Sequence, residues 1–279
     1  MYKFERIDIF NRLNDYYLCY KGLFPDSPLD LSWFRWYYKL FKVRTYVILD
    51  NNKIIGTWNV ESRKFQYHGK IINVGRCFSV GISEKYRRQG LFVELSKYAI
   101  EQERITGEYE YILGFPNVKN PVLQGHLKSG WYPVLDIHKY ELKRHDIIFQ
   151  NKKIDFVAKN VEFSRYGEFY TTEERFKSNP NYKYIVIDDL VLKPYQNFCH
   201  ILQLEDANQL FIAKKLCVNH QWDRLTIWYN DNDIFRHSIL QDGFIPSGKV
   251  RKLIALNMNA KYDIELPNCH FNHGIEEAY

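Results

Sequence analysis

The sequence of 279 residues lacks the features of secreted and membrane proteins. Its five cysteines are an odd number without close pairs, and no CxxC occurs, so a disulfide framework or a redox pair is not indicated. No apolar run approaches the length of a membrane span, and Arg6, Asp8 and Arg12 interrupt the stretch where a signal peptide is apolar. These absences predict a soluble, cytoplasmic protein that does not bind a membrane.

Signals for metals and nucleic acids are equally weak. The nine histidines include no HExxH motif, and Cys269-His270-x-x-His273 has ligand-like spacing that is more typical of a polar tail than of a metal site. We therefore expect no metal. The net charge of +6 is spread along the chain without a concentrated basic face, so nucleic acid is not predicted as a partner.

The composition indicates a large folded core. Hydrophobic residues make up 46% of the chain and aromatic residues 17%, which excludes a disordered or low-complexity protein. At this length, one large domain or two modest ones are expected. We predict two, residues 1–145 and 146–279, with the boundary in the polar stretch 143–153, and we expect a monomer or a homodimer.

The order of predicted elements favours an α/β (α+β) fold. Residues 4–41 have a helical pattern interrupted at Pro25 and Pro28, and an antiparallel strand meander covers residues 45–82. A helix is predicted to begin at Gly90 and to fade near Gly107, followed by a strand at 110–115, a short helix at 120–129 and a strand at 131–142. A central, mostly antiparallel mixed sheet flanked by helices is the predicted architecture.

The second half repeats the end of the first. Asn117, Gly130, Trp131 and Pro133 recur as Asn230, Gly243, Phe244 and Pro246, each displaced by 113 positions. A constant offset at four positions favours an internal duplication. The repeat predicts strands at 182–187, 223–229 and 250–257 and helices at 205–217 and 233–241.

The sharpest chemical signal lies between a predicted strand and a predicted helix, in the sequence Val80-Gly-Ile-Ser-Glu-Lys-Tyr-Arg87-Arg88-Gln89-Gly90-Leu91-Phe92. The first N–H groups of a helix lack internal acceptors, and the helix dipole is positive there. A glycine lets a ligand approach the backbone, and two arginines add charge, so the segment predicts a pyrophosphate-binding site. A lone RxxG would be an ordinary helix start with surface arginines.

The segment resembles motif A of the GNAT superfamily of N-acetyltransferases, Q/R-x-x-G-x-G/A. Arg87 matches the first position and Gly90 the central glycine, whereas Phe92 departs from the small final residue. The resemblance implies acyl-CoA as co-substrate, acetyl-CoA or 3-hydroxybutanoyl-CoA. It implies that the coenzyme contacts Phe78, Ser79, Val80, Ile82, Arg87, Arg88, Gln89, Gly90, Leu91 and Phe92.

A second match follows in Gly114-Phe-Pro-Asn117 and in His126-Leu-Lys-Ser-Gly130-Trp131. In GNAT enzymes an asparagine here helps to hold the coenzyme, which implies that role for Asn117 and Asn120, and a tyrosine four positions before the glycine acts as general acid. His126 occupies the tyrosine position. It is either an acid or base near neutral pH or a surface histidine of the helix.

The implied reaction is attack of an amine on a thioester, which needs a proton acceptor. Glu61, on the strand beside the coenzyme strand, is the leading candidate for the base, and the alternative is a solvated strand residue. Cys77 is expected to be a small buried hydrophobe.

The second half has no RxxGxG-like stretch, so we expect a degenerate GNAT-like lobe that has lost coenzyme binding and shapes the acceptor cleft. Four aromatic residues are either candidates for stacking on the acceptor or core residues: Trp58 of the first half, and Trp222, Trp228 and Tyr229 of the second.

Tandem GNAT-like chains of this size resemble the N-acyltransferases that modify nucleotide-linked amino sugars, such as dTDP-3-amino-3,6-dideoxyhexoses, for surface polysaccharides. That resemblance implies a small-molecule acceptor of this kind. Three other interpretations remain: an acetyltransferase for another small amine, an aminoacyl-tRNA-dependent peptidoglycan enzyme, which the intact coenzyme motif disfavours, and a noncatalytic acyl-CoA-binding module.

Overall fold

The computed structural model describes residues 2–67, 70–149, 184–187, 190–204, 208–230 and 235–259. The tail group of Cys269, His270 and His273 lies outside these residues. So do the stretch 150–183 beside the predicted domain boundary and the first positions of both predicted helices of the second half.

The described residues form one sheet of eleven strands in the order β1-β2-β3-β4-β5-β11-β6-β10-β9-β8-β7. Most neighbours are antiparallel, but β4 pairs with β5 and β9 with β10 in parallel. The strands are β1 (Lys3–Ile7), β2 (Val43–Asp50), β3 (Lys53–Tyr67), β4 (Lys70–Ile82), β5 (Tyr111–Gly114), β6 (Tyr132–Lys143), β7 (Ile185–Ile187), β8 (Leu190–Tyr195), β9 (Phe198–Gln203), β10 (Arg224–Asn230) and β11 (Ile245–Asn257).

The last strand of the described residues, β11, lies inside the first half of the sheet. β11 pairs with β5 through Ile254 to Asn257 and with β6 along most of its length, while β6 pairs with β10 of the second half. Each half therefore completes its sheet with the final strand of the other. The predicted division at residues 145 and 146 stays a prediction, and the sheet runs across it without a break.

The helices are α1 (Leu13–Leu23), α2 (Leu31–Leu40), α3 (Leu91–Thr106), α4 (Pro121–Lys128), α5 (Gln209–Asn219) and α6 (Arg236–Gln241). Pro25 and Pro28 separate α1 from α2, and the Asp30 side chain caps α2 by accepting a hydrogen bond from the N–H of Trp33 at 2.9 Å. The aromatic side chains of α2 pack with α1 on one face of β2 and β3, and α3 covers the opposite face. Within the described ranges, no helix has the length and hydropathy that crossing a bilayer requires.

The internal repeat is visible in the backbone. Gly130 and Gly243 end α4 and α6 with positive φ angles of 95° and 91°. The next residues, Trp131 and Phe244, donate their N–H groups to the carbonyl five positions earlier, at 3.3 and 3.1 Å. A left-handed conformation strongly favours glycine, so both glycines are explained by the same helix ending.

Two parts of the predicted element order are wrong. Lys3–Ile7 is a strand paired with β2, not the start of a helical region. The strands β8 and β9, which form a hairpin beside β10, were absent from the prediction. The fold class itself is confirmed: a mostly antiparallel mixed sheet with helices on its faces.

Candidate active site

The site is built around a wedge between two parallel strands. The ladder between β4 and β5 joins Val74–Arg76 to Tyr111–Leu113, and among these fully described strands it extends no further. Past this point β4 continues to Ile82, while the chain after Gly114 turns away toward α4. The separation leaves backbone groups of β4 facing an open space instead of a neighbouring strand.

A bulge in β4 shapes one wall of the wedge. Ser79 has a positive φ of 47°, which is uncommon outside glycine and costs backbone energy. Its carbonyl accepts hydrogen bonds from Thr57 Oγ1 and Asn59 Nδ2, both at 2.9 Å. Asn59 is itself held by the hydroxyl of Tyr16 at 2.9 Å. The strained conformation is therefore fixed by buried side chains of β3 and α1.

A cavity of about 780 Å³ lies between the end of β4, the start of α3 and the start of α4, and we call it the coenzyme cavity. Its lining includes Val80, Ile82, Leu91, Phe92, Asn117 and Asn120 from the predicted coenzyme contacts. Gly90 precedes α3 with a φ of 78°, and its carbonyl accepts from Val93 and Glu94, which starts the helix.

The charges of the coenzyme cavity fit an anionic ligand. The charged residues among its described lining are Arg87, Arg88 and Lys119, and that lining contains no carboxylate. The N–H groups of the first turn of α3 have no intrahelical acceptor. Gly90 presents no side chain, so a pyrophosphate can approach this backbone. Gln89 does not line this cavity, and its side chain accepts a hydrogen bond from the hydroxyl of Tyr2 at 2.9 Å.

The two asparagines shape the connection from β5 to α4. Asn120 caps α4 by accepting from the N–H of Val122 at 3.0 Å, and Asn117 accepts from the N–H of Lys119 at 2.9 Å. Both line the cavity. Their described bonds are therefore local, and they hold the loop that forms the outer wall.

Phe92, the departure from the GNAT pattern, fits against a glycine. A Cβ built on Gly125 of α4 would lie 2.6 Å from Cε1 of Phe92, closer than real contacts allow. The Phe92 ring also meets the ring of His126 edge-on, with centroids 5.2 Å apart. Gly125 thus makes room for an aromatic ring where the family pattern has a small residue.

We expect Gly125→Ala to lower the free energy of unfolding by about 1–3 kcal/mol, as overpacking does. The matched control is Gly22→Ala in α1, where nothing lies within 4 Å of the added methyl group. Because alanine is the better helix former, that change should stabilise the protein by about 0.5–1 kcal/mol. Urea unfolding of both variants measures the difference, and equal effects would contradict the packing described for Phe92.

A second cavity, of about 260 Å³, adjoins the first and extends deeper into the wedge. We call it the reaction cavity. It shares Phe24, Val80, Asn117, Asn120 and Val122 with the coenzyme cavity. Its other lining residues include Phe78, Ser79 and His126 from the predicted site, and Arg76, Cys77 and Arg251.

His126 lies at the reaction cavity as a buried imidazole. It is 2% exposed, and its Nδ1 has no hydrogen-bond partner among the described residues. The ring of Trp131 lies 4.8 Å from its own, between centroids. Burial lowers the pKa of His126 to about 3, so the imidazole is neutral near pH 7 and can donate a hydrogen bond but cannot serve as an imidazolium acid. The alternative of a surface histidine is wrong.

This burial makes stability fall in mild acid. The unfolded chain binds a proton at His126 near the ordinary pKa of about 6.5, and the folded chain does not until about pH 3. The stabilising contribution of the neutral His126 to the free energy of unfolding is therefore present above about pH 6.5 and is lost as the pH falls toward 3. The loss is about 2 kcal/mol between pH 7 and pH 5. Burial also lowers the pKa of His200 to about 3, so this histidine adds to the loss. When the free energy of unfolding in urea is measured between pH 7 and pH 5, His126→Phe should remove about half of the loss that the two histidines cause together. An unchanged dependence of that free energy on pH would contradict the prediction.

Glu61 lies in a buried ionic cluster beside the cavity. Its carboxylate accepts from Nε of Arg63 at 2.6 Å and from the hydroxyl of Tyr37, and it pairs with Nε of Arg76 at 3.3 Å. The side chain is fully buried and does not line the reaction cavity, so the alternative of a solvated residue is wrong. Two guanidinium groups pair with this carboxylate inside the protein. Its role as the base stays a prediction.

The aromatic candidates for acceptor binding are core residues. Trp58 packs in the core under α3, and Trp222 and Tyr229 pack in the core under α5 and α6. Trp228 points to the opposite face of β10 from Tyr229, beneath the guanidinium of Arg251 at 5.0 Å from the ring centre. None of the four lines either cavity of the described chain, which argues against stacking on an acceptor.

Cys77 also lines the reaction cavity, as a mostly buried thiol. Desolvation by burial raises its pKa well above the ordinary value. A protonated thiol is a weak nucleophile, which agrees with the predicted role of Cys77 as a small buried hydrophobe.

Sequence reasoning missed Arg76, Arg251 and Phe24. The backbone around Arg251 is fixed to the β5–α4 connection by a bridge to Asn117 and by a bond from the N–H of Lys252 to the carbonyl of Pro116 at 2.9 Å. The link depends on β11 lying next to β5, which no local pattern indicates. Arg76 comes just before Cys77 and Phe78 in β4, and all three line the reaction cavity.

The comparisons with known proteins agree with this geometry. A family model described as an acetyltransferase (GNAT) domain matches residues 11–116. No curated protein matches the sequence.

Solved structures share the fold at low identity. A GCN5-related N-acetyltransferase from Anabaena variabilis aligns with a TM-score of 0.63 at 14% identity, over 93% of this chain and 73% of that one. One from Kribbella flavida aligns with a TM-score of 0.61 at 11% identity, over 93% and 72%. A conserved Enterococcus faecalis protein of unknown function aligns with a TM-score of 0.65 at 10% identity, over 94% and 74%. At these identities the likeness establishes the fold alone.

The family match and the wedge define an acyl-CoA-dependent N-acyltransferase. The match to the acetyltransferase (GNAT) domain model is limited to residues 11–116, whereas the likeness in fold to the solved structures extends over most of the chain. The predicted enzyme class is thereby confirmed.

Proposed function

We propose that this protein transfers an acyl group from acyl-CoA to the amino group of a nucleotide-linked amino sugar in the cytoplasm, as a step in surface polysaccharide synthesis. The observation that carries the transferase part is the wedge between β4 and β5, which opens into the coenzyme cavity at Gly90. The sugar acceptor rests on the resemblance of tandem GNAT-like chains and on a reaction cavity that contains cations from both halves of the chain.

Different residues along the wedge would hold different parts of the coenzyme. Arg87, Arg88 and the first N–H groups of α3 would hold the pyrophosphate, and the backbone of Phe78 to Val80 would pair with the amide groups of the pantetheine arm. Acyl-CoA, acetyl or 3-hydroxybutanoyl, supplies an activated thioester. The neutral acceptor amine attacks the carbonyl carbon, a C–N bond forms and the C–S bond breaks. The proton lost by the amine nitrogen passes through water to the thiolate, which leaves as the free thiol of coenzyme A.

His126 is placed to assist this exchange. Its neutral imidazole can donate one hydrogen bond to an atom that gains negative charge, and preorganised donors of this kind are effective in a dry cavity. Glu61 would act as a positioning residue, since it holds Arg76 at the cavity wall.

Thiol release from acetyl-CoA or 3-hydroxybutanoyl-CoA tests the proposal. The panel contains a dTDP-3-amino-3,6-dideoxyhexose, its 3-hydroxy counterpart as the matched control, and simple amines. Within the matched pair, we expect thiol release with the amino sugar and none with its 3-hydroxy counterpart. Release with a simple amine only would overturn the acceptor class and keep the transferase. Binding of coenzyme A without release with any amine would favour a noncatalytic module.

A further inference from the structure

The reaction cavity contains positive charge that the coenzyme cavity does not share. The charged residues among its described lining are Arg76 from β4 and Arg251 from β11, and that lining includes no carboxylate. The two arginines come from different halves of the chain, and both differ from Arg87 and Arg88 of the coenzyme cavity. The positive charge of the reaction cavity is therefore separate from the charge that motif A explains.

Both arginines are held in place by packing. Arg76 is 3% exposed, pairs with Glu61 at 3.3 Å, and has its guanidinium 5.4 Å from the ring centre of Phe78. The guanidinium of Arg251 lies 5.0 Å from the ring centre of Trp228. Ordered guanidinium groups lose less side-chain entropy when they bind a ligand.

A guanidinium group has five N–H donors and no acceptor, so an arginine that already holds a partner still has donors for a ligand. Arginine forks match the oxygens of phosphate, with two parallel bonds each. A phosphate monoester carries about two negative charges at neutral pH, which complements two guanidinium groups on separate strands.

We infer that the acceptor carries a phosphate or diphosphate group and that Arg251 and Arg76 bind it in the reaction cavity. The inference rests on the proposed function and deepens it, because it assigns recognition of the acceptor's anionic part to named residues. It also gives the second half of the chain a direct role in the site, through β11. Acceptors whose only charges are positive would be rejected by the same cations.

Calorimetric titration of inorganic pyrophosphate into protein saturated with coenzyme A tests the inference, because the coenzyme occupies the motif A site. We expect binding to the unaltered protein and an affinity about tenfold to a hundredfold lower in Arg251→Gln, the usual effect of removing a hydrogen bond to a charged group. Lys252→Gln is the matched control. It removes the same charge from the next residue of β11, whose side chain pairs with Asp136 and does not line the cavity.

Equal pyrophosphate affinity in Arg251→Gln and Lys252→Gln, or no binding to the coenzyme-saturated protein, would overturn the inference and leave the transferase proposal intact. Failure of coenzyme A itself to bind would instead remove the proposed function.

A kinetic comparison gives the second readout. In Arg251→Gln the KM for glucosamine 6-phosphate should rise about tenfold to a hundredfold relative to that for glucosamine, and Arg251→Lys should recover part of the difference. An unchanged KM ratio in Arg251→Gln would also overturn it.

Discussion

Replacing Gly90 with glutamate should weaken coenzyme A binding by at least about a hundredfold. The residue has a φ of 78°, which a side chain disfavours, and the new carboxylate would stand at the N-terminus of α3 where the pyrophosphate is expected. Like charges about 4 Å apart repel by about 1–4 kcal/mol, or about fivefold to a thousandfold in Kd, and pyrophosphate carries more than one charge. Isothermal titration calorimetry with coenzyme A measures the change.

The same helix offers a matched control. Gly107 ends α3 with a φ of 62°, and nothing lies within 4 Å of a Cβ built on it. Gly107→Glu introduces the same residue with similar backbone strain at the opposite end of α3, so its coenzyme A affinity should match that of the unaltered protein. Unchanged affinity in Gly90→Glu would contradict the assignment of the coenzyme cavity.

His126→Phe should lower kcat by about a hundredfold while the folded state is retained or stabilised near neutral pH. A buried polar atom without a partner costs about 1–3 kcal/mol, and Nδ1 of His126 is such an atom among aromatic neighbours. Phenylalanine removes that cost, and it also removes the donor at the reaction cavity. Loss of one preorganised donor lowers turnover by about a hundredfold to a thousandfold in other enzymes.

Opposite changes in stability and turnover distinguish function from packing. Single-turnover thiol release, urea unfolding and coenzyme A titration on His126→Phe supply the three readouts, and the coenzyme affinity should stay within about threefold. Turnover near that of the unaltered protein would show that His126 is a packing residue. Catalysis would then rest on the positioning of the amine and on water.

The pH dependence of kcat gives a separate check on His126. Because burial lowers its pKa to about 3, the group stays neutral between about pH 5 and pH 8 and contributes no step to the profile in that range. A step near pH 6.5 that disappears in His126→Phe would show that the imidazole titrates in the working enzyme.

The parts of the site that lie close together in the sequence were predictable. The strand, the turn at Arg87 to Gly90 and the start of α3 are contiguous, so the sequence shows them as one segment, and the resemblance to motif A assigns the coenzyme to it. Asn120 is readable as a helix cap for the same reason. The glycines of the repeat were also readable, because a positive φ leaves a direct trace in residue type.

The rest depends on contacts between distant segments. Glu61 is a charged residue on a strand, and the sequence does not show that Arg63 and Arg76 neutralise it inside the protein. Arg251 reaches the wedge only because β11 inserts beside β5. Lys3–Ile7 alternates too briefly to be distinguished from a helix start, and its pairing with β2 decides its conformation.

The insertion of β11 sets the order in which this protein can mature during synthesis. The wall of the wedge formed by β5 stays an unpaired edge until residues 245–257 have emerged from the ribosome, although motif A emerges far earlier. An incomplete chain therefore has a coenzyme-binding turn without a finished pocket, and it exposes strand edges that attract other chains. Acyl transfer would begin only after residue 257 has been synthesised, and stop codons before residue 245 should yield aggregates instead of a smaller enzyme.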